Sequence, residues 1–421
     1  MRIAIIGAGL IGISTAYFLG RSGHSVVIVD RREGPGLETS FANGGMITPS
    51  QADPWNAPGI ARKLLGWIGR EDAPVLLRAR SLLPMVRWGL QFLRNSSPRL
   101  FRENLGKNLR LARYSLEVLR RLRRETKLHY DEAAAGTMKF YRNPRSLRES
   151  EWLTRELRDA GVRCESLDAA GVIAREPALE GIAAEIAGGV FYPDDESGDA
   201  QRYCANLARL AAEDGVEFRY GLGVEAIRCR NGSIEAVSTT AGELRADCYV
   251  LAAGSYSPQL ARTAGIAIPV QPVKGYSVTL DLAGWDRIPK VPLVDDDLHV
   301  AATPLAGKLR IAGTAEFAGH DLKLTPQRVR PLLAFAAKLF PRDARHVDES
   351  KAQAWAGLRP YSCDGVPVLG GSRLDNLFLN TGHGHLGWSM AAGSGKLLAD
   401  LVSRGGAELD LSPYGLDRFA R

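Results

Sequence analysis

The sequence predicts an α/β protein of two domains. One is a discontinuous, Rossmann-like dinucleotide-binding domain; the other is built on a mixed β-sheet with inserted helices. Three observations predict it. The N-terminus reads strand, glycine turn, helix, strand. An apolar strand, "DCYVLAAG", returns mid-chain. A strand, glycine-rich turn and helix, "NLFLNTGHGHLGWSMAAGSGKLLADLV", closes the sequence. The dinucleotide domain is assigned to 1–50, 190–265 and 355–421, and the second domain to 51–189 and 266–354.

Each element follows from its pattern. Ile3–Ile6 is a short apolar strand, and Gly12–Leu19 is small and apolar enough for a helix packed on a sheet. "SVVIVD" is a fully apolar strand ending in Asp30, as buried parallel strands do. A long loop rich in Gly, Pro, Ser and Asn follows, and long ordered loops are often functional. Residues 60–127 read as helices, with Leu109, Ala112, Leu116, Leu119 and Leu122 on one face. "GTMKFY" and "GGVFYPDD" are strands. The helix from Asp199 is capped by that acid and stopped by Gly215. "VEFRY", "GVEAIRC", "VKGYSVTL", "HVAATPL" and "LRIAGTAEF" complete the strands.

Composition narrows the class. The 421 residues are 45% hydrophobic and 24% charged, which excludes a disordered chain. No apolar run reaches the ~18 residues of a spanning helix. Glycines interrupt the apolar N-terminus, which argues against a signal peptide. Five scattered cysteines with no C-x-x-C pair indicate neither a disulfide framework nor a metal site, so a reduced, cytoplasmic protein is expected. The net charge of +7 is uneven. Between Ala61 and Lys127 stand 17 Lys and Arg against 5 Asp and Glu, a local +12.

Five motifs carry chemistry. Gly7-x-Gly9-x-x-Gly12 gives a tight turn, close approach to a pyrophosphate and close helix–strand packing, with the helix N-terminus facing the phosphates. Asp30, 18 residues beyond Gly12, is placed for a ribose hydroxyl. These features alone leave NAD and FAD open. "ETSFANGGM" offers backbone N–H groups to a cofactor, or is a plain turn. Ala252-Ala253-Gly254 would let a strand end abut the first glycine turn. "TGHGHLGWSM" opens a helix whose N–H groups and His383 and His385 suit an anion or a cofactor. Arg359 in "WAGLRPYS" suits either a substrate carboxylate or an internal salt bridge.

Taken together, these motifs resemble the D-amino-acid oxidase superfamily of FAD-dependent oxidoreductases, most closely its bacterial D-amino-acid dehydrogenase branch (the small, flavin-bearing subunit). The resemblance runs nearly end to end, on "GAGLIGISTAYFL", "LETSFANGG", "PWNAPG", "YPDDESGDAQ", "GSYS", "KGYSVTL", "WAGLRP" and "LNTGHGHLGWSMAAGSGKLLADL". It implies an FAD domain of the glutathione-reductase type. Leu10 and Ile11 would lie at the pyrophosphate, and Asp30 and Arg31 at the adenosine ribose. Thr39, Ser40, Asn43, Gly44, Gly45 and Met46 would line pyrophosphate and flavin, with Val224 at adenine and Ala253 and Gly254 beside the cofactor. Gly382, His383, Gly384, His385, Leu386, Gly387, Trp388 and Ser389 would form the turn at the flavin pyrimidine edge.

The resemblance also settles Arg359 as the residue that holds the substrate carboxylate. It implies hydride transfer from a D-amino acid to flavin N5, giving a 2-oxo acid and ammonia, with electrons passed to a quinone-type acceptor. Tyr276, His299 and His385 are pocket candidates, and either histidine is a candidate for taking the amine proton. The chain departs from its branch, with "GHGHLGW" for the usual "GHGTLGW" and "NGGMITPS" for "NAGQISPG". These departures leave open D-proline, cis-4-hydroxy-D-proline or sarcosine/glycine-type substrates. Leu64, Leu65, Trp67, Ile68, Trp88, Phe92 and Leu93 lie among Arg62, Lys63, Arg70, Arg87 and Arg94, a pattern suited to an anionic membrane surface on the inner face of the cytoplasmic membrane. A tRNA-binding flavoprotein is the alternative of another class, but no RNA-binding motif accompanies the charge.

Overall fold

The computed structural model describes residues 1–67 and 75–420. A six-stranded sheet forms around the N-terminal strand. Arg2–Ile6 pairs in parallel with Ser25–Val29 on one side and Cys248–Leu251 on the other. Glu217–Arg219 and Leu377–Thr381 extend the two flanks in parallel, and Val368–Gly371 adds an antiparallel edge. The central strands carry apolar residues on both faces because both faces are covered. Helices Leu10–Arg21, Pro98–Thr126, Ala200–Glu213 and Gly387–Arg404 share the core on one side. The strands Val224–Arg230, Ser233–Thr239 and Gly242–Leu244 form a small sheet that packs on the other.

A larger mixed sheet has Gln353–Ser362 at one edge. Val270–Asp281, Lys308–Phe317, Val300–Leu305, Leu293–Asp295, Thr137–Tyr141, Gly188–Tyr192 and Glu165–Asp168 follow in order, and Val75–Leu77 pairs with Lys308–Phe317. Helix Pro326–Leu339 buries its apolar face against this sheet. Val270–Asp281 and Gln353–Ser362 pair over ten positions, Val273 opposite Arg359. An isolated bridge joins Tyr361 to His383, so this sheet edge meets the turn that opens the C-terminal helix.

Local signals behave as their chemistry requires. The Asp199 carboxylate accepts from the N–H groups of Gln201 and Arg202, and Gly215 leaves the helix end at φ +89°. Leu109, Ala112, Leu116, Leu119 and Leu122 are all buried along Pro98–Thr126. The basic segment needs correction. Trp88 and Phe92 are buried at 5% and 8% exposure and stack on each other, and the Trp88 indole N–H donates to the Tyr361 carbonyl at 3.2 Å. They are core residues, not surface anchors. Arg120 and Arg123 turn inward to grip the buried Glu196 at 2.6 and 2.7 Å, so part of the local charge is spent inside. Ile68 and Arg70 lie outside the described residues, as do the side chains of Lys63 and Leu65.

Gly12 sits where the first helix crosses the first turn, and a Cβ there would stand 1.8 Å from the Gly7 carbonyl oxygen. That atom is backbone and cannot swing away. Gly12→Ala is expected to destabilise the fold by about 3 kcal/mol, an overpacking penalty, read as a fall in the thermal unfolding midpoint.

Candidate active site

The glycine turn and the middle strand meet as the sequence predicts. Gly7 has φ +109°, and a Cβ on it would lie 2.6 Å from the Ala252 carbonyl oxygen. The turn is therefore pressed against the end of Cys248–Leu251. Asp30 pins the turn, accepting from Ala8 N–H at 2.7 Å and Arg32 N–H at 2.8 Å. Burial raises its pKa, and these two N–H groups oppose the rise. Each carboxylate oxygen keeps a lone pair for another donor. Arg31 lies 3.8 Å over the Tyr256 ring and donates to Glu38. Ser40 Oγ accepts from Leu10 N–H at the helix start.

The loop 38–51 crosses between the sheets and is stitched on both sides. Thr39 donates to the Leu358 carbonyl, Ser277 to that of Ala42, and Thr303 to that of Gly44. Asn43 Oδ1 accepts from Gly45 N–H, and Thr48 N–H donates to Ser389. These bonds open a continuous cavity of about 1610 Å³. Sites for drug-sized ligands span roughly 300–1,000 Å³, so this one has room for a dinucleotide and a small substrate together.

The cavity gathers most of the expected residues. Gly7, Gly9, Leu10, Ile11, Asp30 and Arg31 line one end with Val224, Ala253 and Gly254. Thr39, Ser40, Asn43, Gly44, Gly45 and Met46 line the middle segment, and His383, Gly384, His385, Gly387 and Trp388 also face it. Gly12, Gly382 and Leu386 do not. Gly12 is a packing glycine, Leu386 is in the core, and a Cβ on Gly382 would press on Val270. Trp388 packs against Tyr203 and donates to the Gly198 carbonyl.

Arg359 lines the same cavity. Its Nη1 donates to the Thr314 carbonyl at 3.2 Å, its guanidinium lies 5.5 Å from the Trp55 ring centroid, and no described carboxylate pairs with it. The internal salt bridge is thus excluded among the described residues. Burial lowers its pKa to about 10, which still leaves it charged at neutral pH. Space for it is made by Gly275, where a Cβ would fall 2.5 Å from the Arg359 Cζ. Thr314 holds its carbonyl towards the guanidinium at φ +56°, a costly backbone for a β-branched residue and a mark of functional strain.

The remaining candidates differ. Tyr276 lines the cavity, but its hydroxyl donates to Glu316 at 2.7 Å, which together with burial raises its pKa. It is poorly placed to take a proton. His299 is exposed at the cavity wall on a turn at φ +54°. His383 is buried, bonded through Nε2 to Ser394 Oγ, and pushed by burial to about 3. Trp55, Tyr361 and His385 form a stacked aromatic group beside Arg359. Asp53, Trp55, Thr314 and Gly275 were not singled out as site residues by sequence. Trp55 and Gly275 had a signal, since both lie in stretches that carry the resemblance, "PWNAPG" and "KGYSVTL".

Comparison with known proteins agrees with this geometry. Residues 2–401 match the model of the DAO family, FAD dependent oxidoreductase. The chain belongs to this family. It is an oxidoreductase that uses FAD. It is 44% identical over its whole length to a D-amino acid dehydrogenase of Paramagnetospirillum magneticum, 99% of which is covered. It is 41% identical to one of Granulibacter bethesdensis, with both chains fully covered. Among solved structures, glycine oxidase from Geobacillus kaustophilus shares the fold at a TM-score of 0.77 and 24% identity, covering 99% of each chain. L-proline dehydrogenase from P. horikoshii does so at 0.78 and 18%, over 100% of this chain and 98% of its own.

The residues present fit FAD. Gln51 Nε2, Thr314 Oγ1 and His383 Nδ1 are buried side-chain atoms on residues of the cavity wall and have no hydrogen-bond partner among the described residues. Buried polar groups are nearly always satisfied, so such orphans mark places where a bound molecule supplies partners. Asp30→Ala would free the turn and remove the carboxylate expected at the ribose. Its FAD is expected to dissociate roughly 10- to 100-fold more readily, by loss of about one charge-assisted hydrogen bond to the cofactor, measured as flavin released on gel filtration.

Proposed function

We propose that the protein oxidises D-amino acids to 2-oxo acids and ammonia and passes the electrons to a quinone-type acceptor. The carrying observation is Arg359, a charged guanidinium on the cavity wall with no carboxylate partner among the described residues. Two parallel N–H donors suit an α-carboxylate. The full-length relatives named D-amino acid dehydrogenase support the reaction class. FAD, when bound, supplies the acceptor for the hydride lost from Cα. In this reading Asp30, Leu10, Ile11 and the loop 38–46 hold the cofactor. Arg359 fixes the carboxylate, and the aromatic wall of Trp55 and Tyr361 excludes water around it. The turn 382–388 places a helix N-terminus where negative charge would develop, as electrostatic stabilisation requires.

This reading assigns 1–50, 190–265 and 355–421 to the cofactor and the rest to the substrate. Strand pairing supports that division except at Gly188–Tyr192 and Gln353–Ser362, which pair in the larger sheet.

It also includes attachment to an anionic membrane through a corrected surface. No helix among the described residues is long and apolar enough to cross a membrane. Helix Ala79–Arg94 instead turns Leu83, Val86, Leu90 and Leu93 outward, with Leu83 and Leu90 at 86% and 66% exposure. Their spacing of three and four makes one apolar stripe beside Arg87 and Arg94.

Arg359→Ala is expected to cut kcat/KM for D-amino acids about 10³-fold, the cost of removing one partner of a buried charge-assisted pair. Anaerobic bleaching of the flavin by D- but not L-amino acids checks the chirality. Gly275→Ala is expected to raise KM roughly tenfold with little effect on the fold, because the displaced group is the end of a long side chain. Leu90→Glu is expected to abolish flotation with anionic liposomes. Flotation equal to that of the parent would remove the helix from the membrane contact.

A further inference from the structure

Arg359 and His385 line the same cavity and both lie against the Trp55 ring. The Trp55 ring stacks on His385 at 5.4 Å and 18°, and the Arg359 Cζ lies 5.5 Å from its centroid. His385 Nε2 is 3.3 Å from the Gln51 carbonyl oxygen. A carbonyl only accepts, so Nε2 carries the hydrogen of the neutral ring. Nδ1 is then an acceptor with no hydrogen-bond partner among the described residues. Asp53 lines the same cavity and makes no hydrogen bond or ion pair among them either.

Resting on Arg359 as the carboxylate site, we propose that carboxylate binding arms His385. With the guanidinium charge cancelled, Nδ1 takes a proton from the substrate ammonium, and Asp53 balances the imidazolium that forms. One ammonium N–H bond breaks and one Nδ1–H bond forms. The freed nitrogen lone pair then assists loss of Cα–H with its electron pair to FAD, leaving an iminium that water hydrolyses.

The charges around His385 support this order. Burial pushes its pKa to about 4, Arg359 pushes the same way, and Asp53 and the Gln51 carbonyl oppose both. In the free enzyme His385 is therefore neutral, and burial and the Arg359 charge hold its proton affinity down until a carboxylate arrives. A bound carboxylate removes one of the two depressing influences. The other neighbours do not compensate. Lys139, which also feels Asp53, is paired with Asp296 at 2.7 Å, His383 is neutral, and the Tyr361 ring is stacked 6.0 Å away. An amino acid is protonated on nitrogen at neutral pH, so a partner for that proton has a direct effect on rate.

The test is the pH dependence of anaerobic flavin bleaching in the holoenzyme, His385→Asn and Asp53→Asn, with pyruvate as a carboxylate probe. The parent rate is expected to be nearly flat between about pH 6 and 9, and that of His385→Asn to climb roughly tenfold per pH unit as only free amine reacts. Asp53→Asn is expected to lose roughly tenfold at neutral pH with pyruvate affinity unchanged. At about pH 5, pyruvate binding should draw a proton into the parent but not into His385→Asn, read by calorimetry in buffers of different ionisation enthalpy. A rising profile shared by parent and His385→Asn, with pyruvate binding still dependent on Arg359, overturns the relay. Pyruvate binding as tight to Arg359→Ala as to the parent overturns its premise instead. Should His385→Asn fail to hold FAD, proton uptake by the parent and the Asp53→Asn rate decide.

Discussion

The structure depends on a guanidinium set into the cavity wall with no counter-charge among the described residues. Burying an unpaired charge costs several kcal/mol, so the surroundings must hold Arg359 in place. They do so by backbone. Ten paired positions join its strand to Val270–Asp281. Thr39 and Ser255 both donate to the Leu358 carbonyl one residue earlier. Gly275 leaves the space, and Thr314, in a strained conformation, supplies the accepting carbonyl. In the proposed function, a site kept at this cost is poised for an anion that arrives with the substrate.

The two sheets divide the work around that residue. The parallel sheet ends its strands at the glycine turn, where helix Leu10–Arg21 begins and backbone N–H groups become available to phosphate. The mixed sheet carries Arg359 on its edge strand. The cavity is the seam between them, and loop 38–51 closes it by bonding to both. The Tyr361–His383 bridge brings the strand that carries Arg359 to the start of the C-terminal helix. The Arg359 guanidinium and the positive end of a helix thus come to one cavity.

Much of this was legible in sequence because it rests on local rules. Gly7, Gly9 and Gly12 with Asp30 announce a turn whose geometry few other residues allow. The Asp199 cap and the period of Leu109–Leu122 place two helices correctly. What was not legible depends on tertiary burial. Trp88 and Phe92 look like surface anchors among arginines, yet they pack under Phe317 and Tyr361. The outward stripe belongs to other residues of the same helix. Arg120 and Arg123 look like part of a basic face, yet Glu196, far along the chain, draws them in. Asp53 is one acid in a loop until the fold sets it on the same cavity wall as His385. Tyr276 looks like a pocket hydroxyl until Glu316 takes it.

The most direct measurement is a crystal structure of the FAD-loaded protein with a 2-oxo acid bound. The expected result is a carboxylate forked across the Arg359 guanidinium, with the 2-carbon facing the flavin ring. A carboxylate held elsewhere in the cavity, with Arg359 still bonded only to the Thr314 carbonyl, would contradict it.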